Sequence, residues 1–539
     1  PQIIEIHVND RNAKYPLNVD PLLTNTLVQE DIGFGITVAT AGDINGDGFS
    51  DIVVGAPYFD GGMFDSGIAL LYPGSAERIS GHHIWKVIGE TFSAHLGHSV
   101  STAGDVNGDG LSDIIVGAPR TRLQNVEMGR VYVFHGREDG PRPEADFLVT
   151  GPTDLGLFGW SVSTAGDVDT DGFSDIIIGA PQLGDLGWVF VTHGSEHGLT
   201  LQRLWMASGV HRGGMFGYSV AFAGDIDANN ASDIIVGAPY SRRLHGYEGE
   251  GEVFIFNGIQ GVGLPTSNST PAPGRPHIYS SDASWRSTLG IAGARFGWSV
   301  NTAGDLNGDG TSDIIIGVPS AKNREGDFKG MAVVYYGVRL GRPNTNWPPD
   351  WGYLTNSPGH SFGFSVSTAG DYNGDGSADI VVGMPNQGSP GEENVGGAFL
   401  WLGSSSGLAT DLVSNFDYVG AAPDISHIST TAGVMQGKSV ALGGDINGDG
   451  FSDVLIGSLF GTQSINSQSS QASVEILLGK AELPSKQPNW TDVGGDFDDR
   501  LGSSVKTAGD VNGDGYADVI IGVPARDRVG LPGHGRVHV

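Results

Sequence analysis

Eight times along the chain a nine-residue stretch recurs with an acidic residue or an asparagine at its first, third, fifth and ninth places. The first places are Asp43, Asp105, Asp167, Asp225, Asp305, Asp371, Asp445 and Asp510. The third are Asn45, Asn107, Asp169, Asp227, Asn307, Asn373, Asn447 and Asn512. The fifth are Asp47, Asp109, Asp171, Asn229, Asp309, Asp375, Asp449 and Asp514, and the ninth are Asp51, Asp113, Asp175, Asp233, Asp313, Asp379, Asp453 and Asp518. Oxygens at alternate residues converge on one point if the chain curls tightly. A left-handed residue at the sixth place then lets the seventh carbonyl join them. Those carbonyls belong to Phe49, Leu111, Phe173, Ala231, Thr311, Ser377, Phe451 and Tyr516. Three or more carboxylates so close repel one another unless a hard cation sits between them. An oxygen-only set without His or Cys suits Ca²⁺, and less well Mg²⁺ or Mn²⁺. About eight Ca²⁺ ions are expected, which would cancel half of the formal charge of −32.

Two other readings of the loop can be weighed on sequence. An EF-hand needs a bidentate Glu at its twelfth place and flanking helices. The twelfth residues here are Val54, Val116, Ile178, Val236, Ile316, Val382, Ile456 and Ile521, all β-branched and apolar, so that reading fails. A plain Asn-Gly or Asp-Gly hairpin turn accounts for the first six residues. It gives no reason for an Asp at the ninth place in every copy. The copy DIDANNASD, from Asp225, looks damaged but keeps Asp225, Asp227, Asn229 and Asp233 in the ligand places. Asn230 replaces the usual Gly and is the residue that best tolerates left-handed backbone after it. This copy is expected to bind calcium, more weakly because its turn is stiffer.

The elements that position these loops repeat with them. Their mean spacing is about 67 residues, so eight units fill essentially the whole chain and leave no room for a separate catalytic domain. Each unit opens on a Gly-x-[Ser/Thr]-Val step such as FGWSV, continues through the loop into a β-branched run such as DIIVGAP, and adds an alternating segment such as GRVYVFHG. Short Val/Ile-rich runs bounded by Gly and Pro read as strands, and helical periodicity is absent. Four strands per repeat make a β-propeller blade, and the unit is long for a β-helix turn. The expected fold is therefore all-β, an eight-bladed propeller of four-stranded antiparallel blades spanning residues 21–539. The last unit stops at GRVHV, one strand short, and PLLTNTLVQED (Pro21 to Asp31) occupies the place of a fourth strand. That strand is expected to complete the eighth blade and close the ring. Residues 1–20, with the alternating IIEIHV, are an extension or edge strand. Long insertions at Gly261 to Pro276 and Asp417 to Val434 read as exposed loops on a binding face.

Composition narrows the partners. The length and a hydrophobic fraction of 39% permit large cores, and 87 Gly fit a turn-rich β protein. No Cys is present, which removes disulfides, zinc–thiolate sites and thiol chemistry. The acidity speaks against nucleic acid and anionic membrane, and no apolar run reaches the roughly 18 residues of a membrane span. The 15 His form no zinc-protease pattern, and no GxxxxGK[ST] P-loop occurs. Sequons at Asn230, Asn268 and Asn489 are of the kind that arises by chance.

The composite motif, as in FGWSVSTAGDVDTDGFSDIIIGAP (Phe158 to Pro181), resembles the FG-GAP repeats of the integrin α-subunit propeller and its bacterial relatives. The resemblance covers nearly the whole chain. It implies a Ca²⁺-stabilised propeller, not an enzyme, that works in adhesion or recognition outside the cell or at its surface. A fungal lectin family of similar build binds sugars between blades. Two departures stand out: integrin propellers have seven repeats with calcium loops in only some, and this chain has neither their Cys pattern nor an RGD. In integrins, aromatics following FG line the centre of one face and grip the partner subunit. Here that place holds Trp160, Tyr218, Trp298 and Phe364 in four consecutive units, and Ile36, His98, Lys438 and Ser503 in the others. Inter-blade packing or plugging of the central channel is the favoured reading of this half-ring; binding of a partner peptide or sugar is the other. For the whole chain, a recognition module for protein or glycan leads. A polysaccharide lyase using the loops around Tyr279 or His427, and a structural spacer, are the alternatives.

Overall fold

The computed structural model of the chain describes residues 26–29, 34–75, 83–152, 155–242, 249–265, 277–322, 326–327, 329–337, 348–355, 361–385, 396–409, 421–428, 434–446, 449–460, 473–480, 490–493, 500–524 and 535–539. Among the described residues eight antiparallel sheets follow one another, each four-stranded at its base, and helical structure is nearly absent. Blade three is typical: Ser161–Gly166, Asp175–Ala180, Trp188–Thr192 and Leu204–Ser208 pair in sequence order. The second strand of this blade is buried along its whole length. Its DIIIGA run is therefore continuous rather than alternating: one face packs on the preceding blade and the other on the following one.

The cores lie between blades. One cluster joins Val106, Ile115, Val131 and Val133 of blade two to Phe158, Val162, Ile176 and Ile178 of blade three. The FG and GAP residues of the repeat are where adjacent blades touch. A Cβ on Gly117 would lie 2.2 Å from the Gly159 carbonyl oxygen of the next blade, so no side chain fits there. Gly159 itself is left-handed at φ 87°. The Ser/Thr that follows is an inter-blade latch: Ser161 Oγ donates to the Gly217 carbonyl at 3.0 Å, and Ser219 Oγ to Gly297 at 3.0 Å.

Two further features bear on the sequence expectations. The strand Thr26–Gln29 pairs antiparallel with Gly535–His538, with Thr26 opposite His538, so the sheet of blade eight takes a strand from each end of the described chain. Blade three carries a fifth strand instead of stopping at four. His277–Tyr279, from the connection inside blade four, runs parallel to Leu204–Ser208. The outer strand of a blade leaves N–H and C=O groups open, and this connection covers them while burying Ile278. The N-terminal extension with IIEIHV, most of the two long insertions, Asn447 and the sequons at Asn268 and Asn489 lie outside the described residues.

Candidate metal centres and the opposite face

In each blade the acidic loop joins the first strand to the second, and the antiparallel register puts it at the opposite end of that hairpin from the FG turn. The first Asp organises the curl. Asp43 Oδ1 accepts from the backbone N–H of Gly46 at 2.7 Å and of Asp47 at 3.2 Å, and Oδ2 accepts from Gly48 at 3.0 Å. The same bonds from the fifth and sixth residues recur on Asp105, Asp167, Asp225, Asp305, Asp371, Asp445 and Asp510. Left-handed residues make the turn possible: Gly46 and Gly48 stand at φ 75° and 88°, and Ala228 and Asn230 take the same region at 59° and 65°. The altered copy therefore keeps the curl.

The ninth Asp has a function that sequence reasoning missed. Asp113 is fully buried, and its Oδ2 accepts from Val106 N–H at 2.8 Å while Oδ1 accepts from Gly136 N–H at 2.8 Å. It staples the loop to the end of the third strand. Asp51, Asp175, Asp233, Asp313, Asp379 and Asp453 do the same from fully buried positions. Asp518 accepts from Val511 N–H and is only half-buried. The fourth acid thus has structural work of its own, and its recurrence does not by itself demand a metal. Burial is the dominant influence on the ionisation of Asp113, Asp233, Asp313 and Asp379. It pushes Asp113, Asp313 and Asp379 up to about 7 and Asp233 to about 8, against the backbone N–H groups that favour the charged form and with the loop's other carboxylates adding to the rise.

The loops also bond to one another. The eighth residue of each donates its N–H to the first carbonyl of the preceding loop, as in Ser112 to Asp43 at 2.9 Å and Ser174 to Asp105 at 2.8 Å. The series continues through Ser232, Ser312, Ala378, Ser452 and Ala517, and Ser50 donates to Asp510 at 2.8 Å, so the hydrogen bonds form a closed ring of eight.

Donor chemistry fits a hard divalent cation. No Lys, Arg or His lies within any of the eight nine-residue loops. In blade four Asp225, Asp227 and Asp233 offer oxygens within 4.8 Å of one another, and Asp227 Oδ1 is buried without a hydrogen-bond partner. In blade three Asp167, Asp169 and Asp171 converge likewise. There the guanidinium of Arg203, from outside the motif, contacts Asp169 and also donates to Asp171 Oδ2 at 2.9 Å.

On the opposite face the turn Leu157–Trp160, closed by Trp160 N–H to the Leu157 carbonyl at 3.0 Å, aims the residue after FG at its counterpart in the next blade. The four aromatics are brought into contact: Trp160–Tyr218 at 6.0 Å, Tyr218–Trp298 at 5.0 Å and Trp298–Phe364 at 5.7 Å between ring centroids. The half-ring is longer than expected. His98 packs at a tilt against Trp160 with ring centroids 4.4 Å apart, and Lys438 Nζ lies 3.8 Å over the Phe364 ring, so a six-residue arc crosses blades two to seven. Burial lowers Lys438 to about 8 and His98 to about 4. Tyr58, Phe64, Phe92 and Leu155 are exposed on the loops beside these turns. Tyr279 and His427 sit in different sheets. His427 is buried against Glu475, which also accepts from Gln436 Nε2 at 2.7 Å.

A family model described as the FG-GAP repeat matches residues 34–72, 96–134, 158–191, 216–256, 296–335, 362–401, 437–474 and 502–539, more than half of the chain. The chain belongs to the FG-GAP repeat family, as an eight-repeat propeller. It is 36% identical over 222 residues to integrin alpha-5 of Xenopus laevis, covering 39% of this chain and 20% of that protein. It is 35% identical over 218 residues to human integrin alpha-IIb, covering 38% and 20%. To integrin alpha-4 of Xenopus laevis it is 40% identical over 158 residues, covering 28% and 15%. The matched segments span a fifth or less of these relatives. Among the described residues no helix is long and apolar enough to cross a membrane.

Proposed function

We propose that the chain is a recognition or adhesion module working outside the cell or at its surface, without catalytic activity, that binds a protein or glycan through the face carrying the FG turns. The observation that carries this reading is the contiguous arc from His98 through Trp160, Tyr218, Trp298 and Phe364 to Lys438. All six side chains are half-buried rather than enclosed, and aromatic rings joined to a cation offer both the flat apolar surface that sugars stack on and the anchors that proteins use. Integrin alpha chains among the relatives favour a protein partner.

On the other face the eight loops hold Ca²⁺, about one ion each, through the oxygens of the first, third, fifth and ninth residues and the seventh carbonyl. The ion supplies positive charge that lets the buried carboxylates stay ionised. The repeat's own side chains do the positioning: the first Asp sets the curl and the ninth ties it to the third strand.

The test is a glycan array and a panel of purified extracellular matrix proteins probed with the full chain, in calcium and in EDTA, beside a lyase assay on acidic polysaccharides. A bound ligand lost in the Trp160→Ala, Trp298→Ala double variant, with an unchanged melting curve, supports the reading. Undiminished binding by that variant overturns the arc as the site, and lyase turnover overturns the non-catalytic reading.

A further inference from the structure

Blade three alone joins a His after its third strand to an Asp at the third place of its loop: blade two has His135 there but Asn107 in its loop, and blade four has Asp227 in its loop but Asn257 after the strand. The residue after the third strand of blade three is His193, whose side chain is 7% exposed and whose Nδ1 has no hydrogen-bond partner. That nitrogen lies 3.4 Å from Asp175 Oδ2 and 3.6 Å from Asp169 Oδ2, whose side chains are 0% and 2% exposed. Asp169 Oδ1 is also buried without a partner. Three buried groups thus point at one small volume, and their ligand atoms lie within 4.8 Å of one another. Only this loop carries four Asp, so it has the greatest need of a counter-charge.

The spacing suits a particular kind of ion. Bonds of about 2.0–2.1 Å in tetrahedral geometry put neighbouring ligand atoms about 3.3 Å apart, close to the two separations from Nδ1. An imidazole nitrogen is a poor ligand for Ca²⁺ and a good one for borderline transition ions. Blade four supplies the internal comparison. Its residue at the same place is Asn257, whose Nδ2 donates to Asp227 Oδ2 at 2.5 Å, so an amide there makes a hydrogen bond where the imidazole makes none.

We infer that the third loop, through His193, Asp169 and Asp175, takes a borderline divalent transition ion such as Zn²⁺ in preference to Ca²⁺. The inference rests on the reading that these loops are cation sites. Arg203 acts as the tethered counter-ion of the metal-free state. Its Nη2 contacts Asp169 and its Nη1 donates to Asp171 at 2.9 Å and to the Gly194 carbonyl at 3.4 Å. Its side chain is 41% exposed, so it can swing into solvent when an ion enters.

The test is metal counting and titration on the full chain after EDTA treatment, with zinc buffered in the micromolar range and calcium held at millimolar. Wild type is expected to take up one zinc equivalent, displacing at most one calcium. His193→Asn, which installs the blade-four residue, is expected to weaken zinc at least tenfold while its melting temperature in calcium stays unchanged. Crystals soaked in zinc give a check that needs no variant: an anomalous peak at the zinc edge bonded to His193 Nδ1. Zinc binding that is equal in both proteins, or no zinc uptake with calcium still counted in the loops, overturns the inference and leaves the calcium reading standing. Uptake of neither metal overturns both.

Discussion

The contrast between Asp113→Asn and Asp109→Asn separates the two functions assigned to the loop acids. Asp113 is fully buried and accepts two backbone N–H bonds, each 2.8 Å long. An amide of the same shape can accept only one of them, so a buried N–H then faces another donor. That mismatch costs about 1–3 kcal/mol with no metal present. Asp109 is exposed, and its counterpart in blade four is already Asn229, so Asp109→Asn should change metal-free stability by no more than about 0.5 kcal/mol. Calcium adds a second layer. At a free level tenfold above Kd a site contributes about 1.4 kcal/mol, which either substitution erodes. Urea unfolding in EDTA and in calcium, with midpoints compared at constant m, reads all four values. In EDTA only Asp113→Asn should be destabilised; in calcium both should lose up to about a further 1.4 kcal/mol. Equal costs for the two variants in EDTA refute the staple. Costs identical with and without calcium for both refute the metal.

Other consequences are open to direct measurement. Chelation should lower the melting temperature markedly, because eight independent sites at that level give an upper limit of about 11 kcal/mol; an unmoved curve rules out the cation loops. In EDTA, stability should fall as pH rises from about 4 through about 7. An Asp whose folded pKa of about 7 exceeds its unfolded value of about 3.9 contributes most below the lower number and loses that contribution through the higher one. Asp113→Asn should flatten the fall and saturating calcium should abolish it; a rise with pH in EDTA contradicts the burial argument. Gly117→Ala forces a Cβ to 2.2 Å from the Gly159 carbonyl and should cost about 1–3 kcal/mol by overpacking the junction of blades two and three. A variant as stable as the parent shows that the junction yields.

Much of the fold is legible in sequence because a propeller repeats a local pattern. The Val/Ile runs, the turn chemistry of the loops and the period between copies are all read within single units, and the eight sheets follow from them. What one unit cannot display is contact with the next. The Ser161 hydroxyl and Gly117 have their partners, Gly217 and Gly159, in the following blade, so the physical reason for FG and GAP emerges only with the blades side by side. The ninth Asp is misleading for a related reason: its second partner, such as Gly136, lies 23 residues on. His193 and Arg203 are invisible because they fall outside the motif, although His193 and Asn257 occupy matching places in the two units with Asp at the third position, which was a readable signal. The strand His277–Tyr279 follows directly on the insertion that ends at Pro276, where no period marks it.

The ring of hydrogen bonds that runs from Ser112 to Asp43 and closes through Ser50 to Asp510 gives the assembly a periodic boundary. In an open stack of repeats the terminal units have one neighbour, fray first and need capping sequences. Here every loop has two neighbours and none is terminal. Displacement of one loop is therefore shared in both directions around the circle. Eight cation sites wired in this way would not fill as eight separate events: an ion that tightens one loop draws on the two beside it, and the least favourable copy, at Asp225, is braced by its neighbours at Asp167 and Asp305.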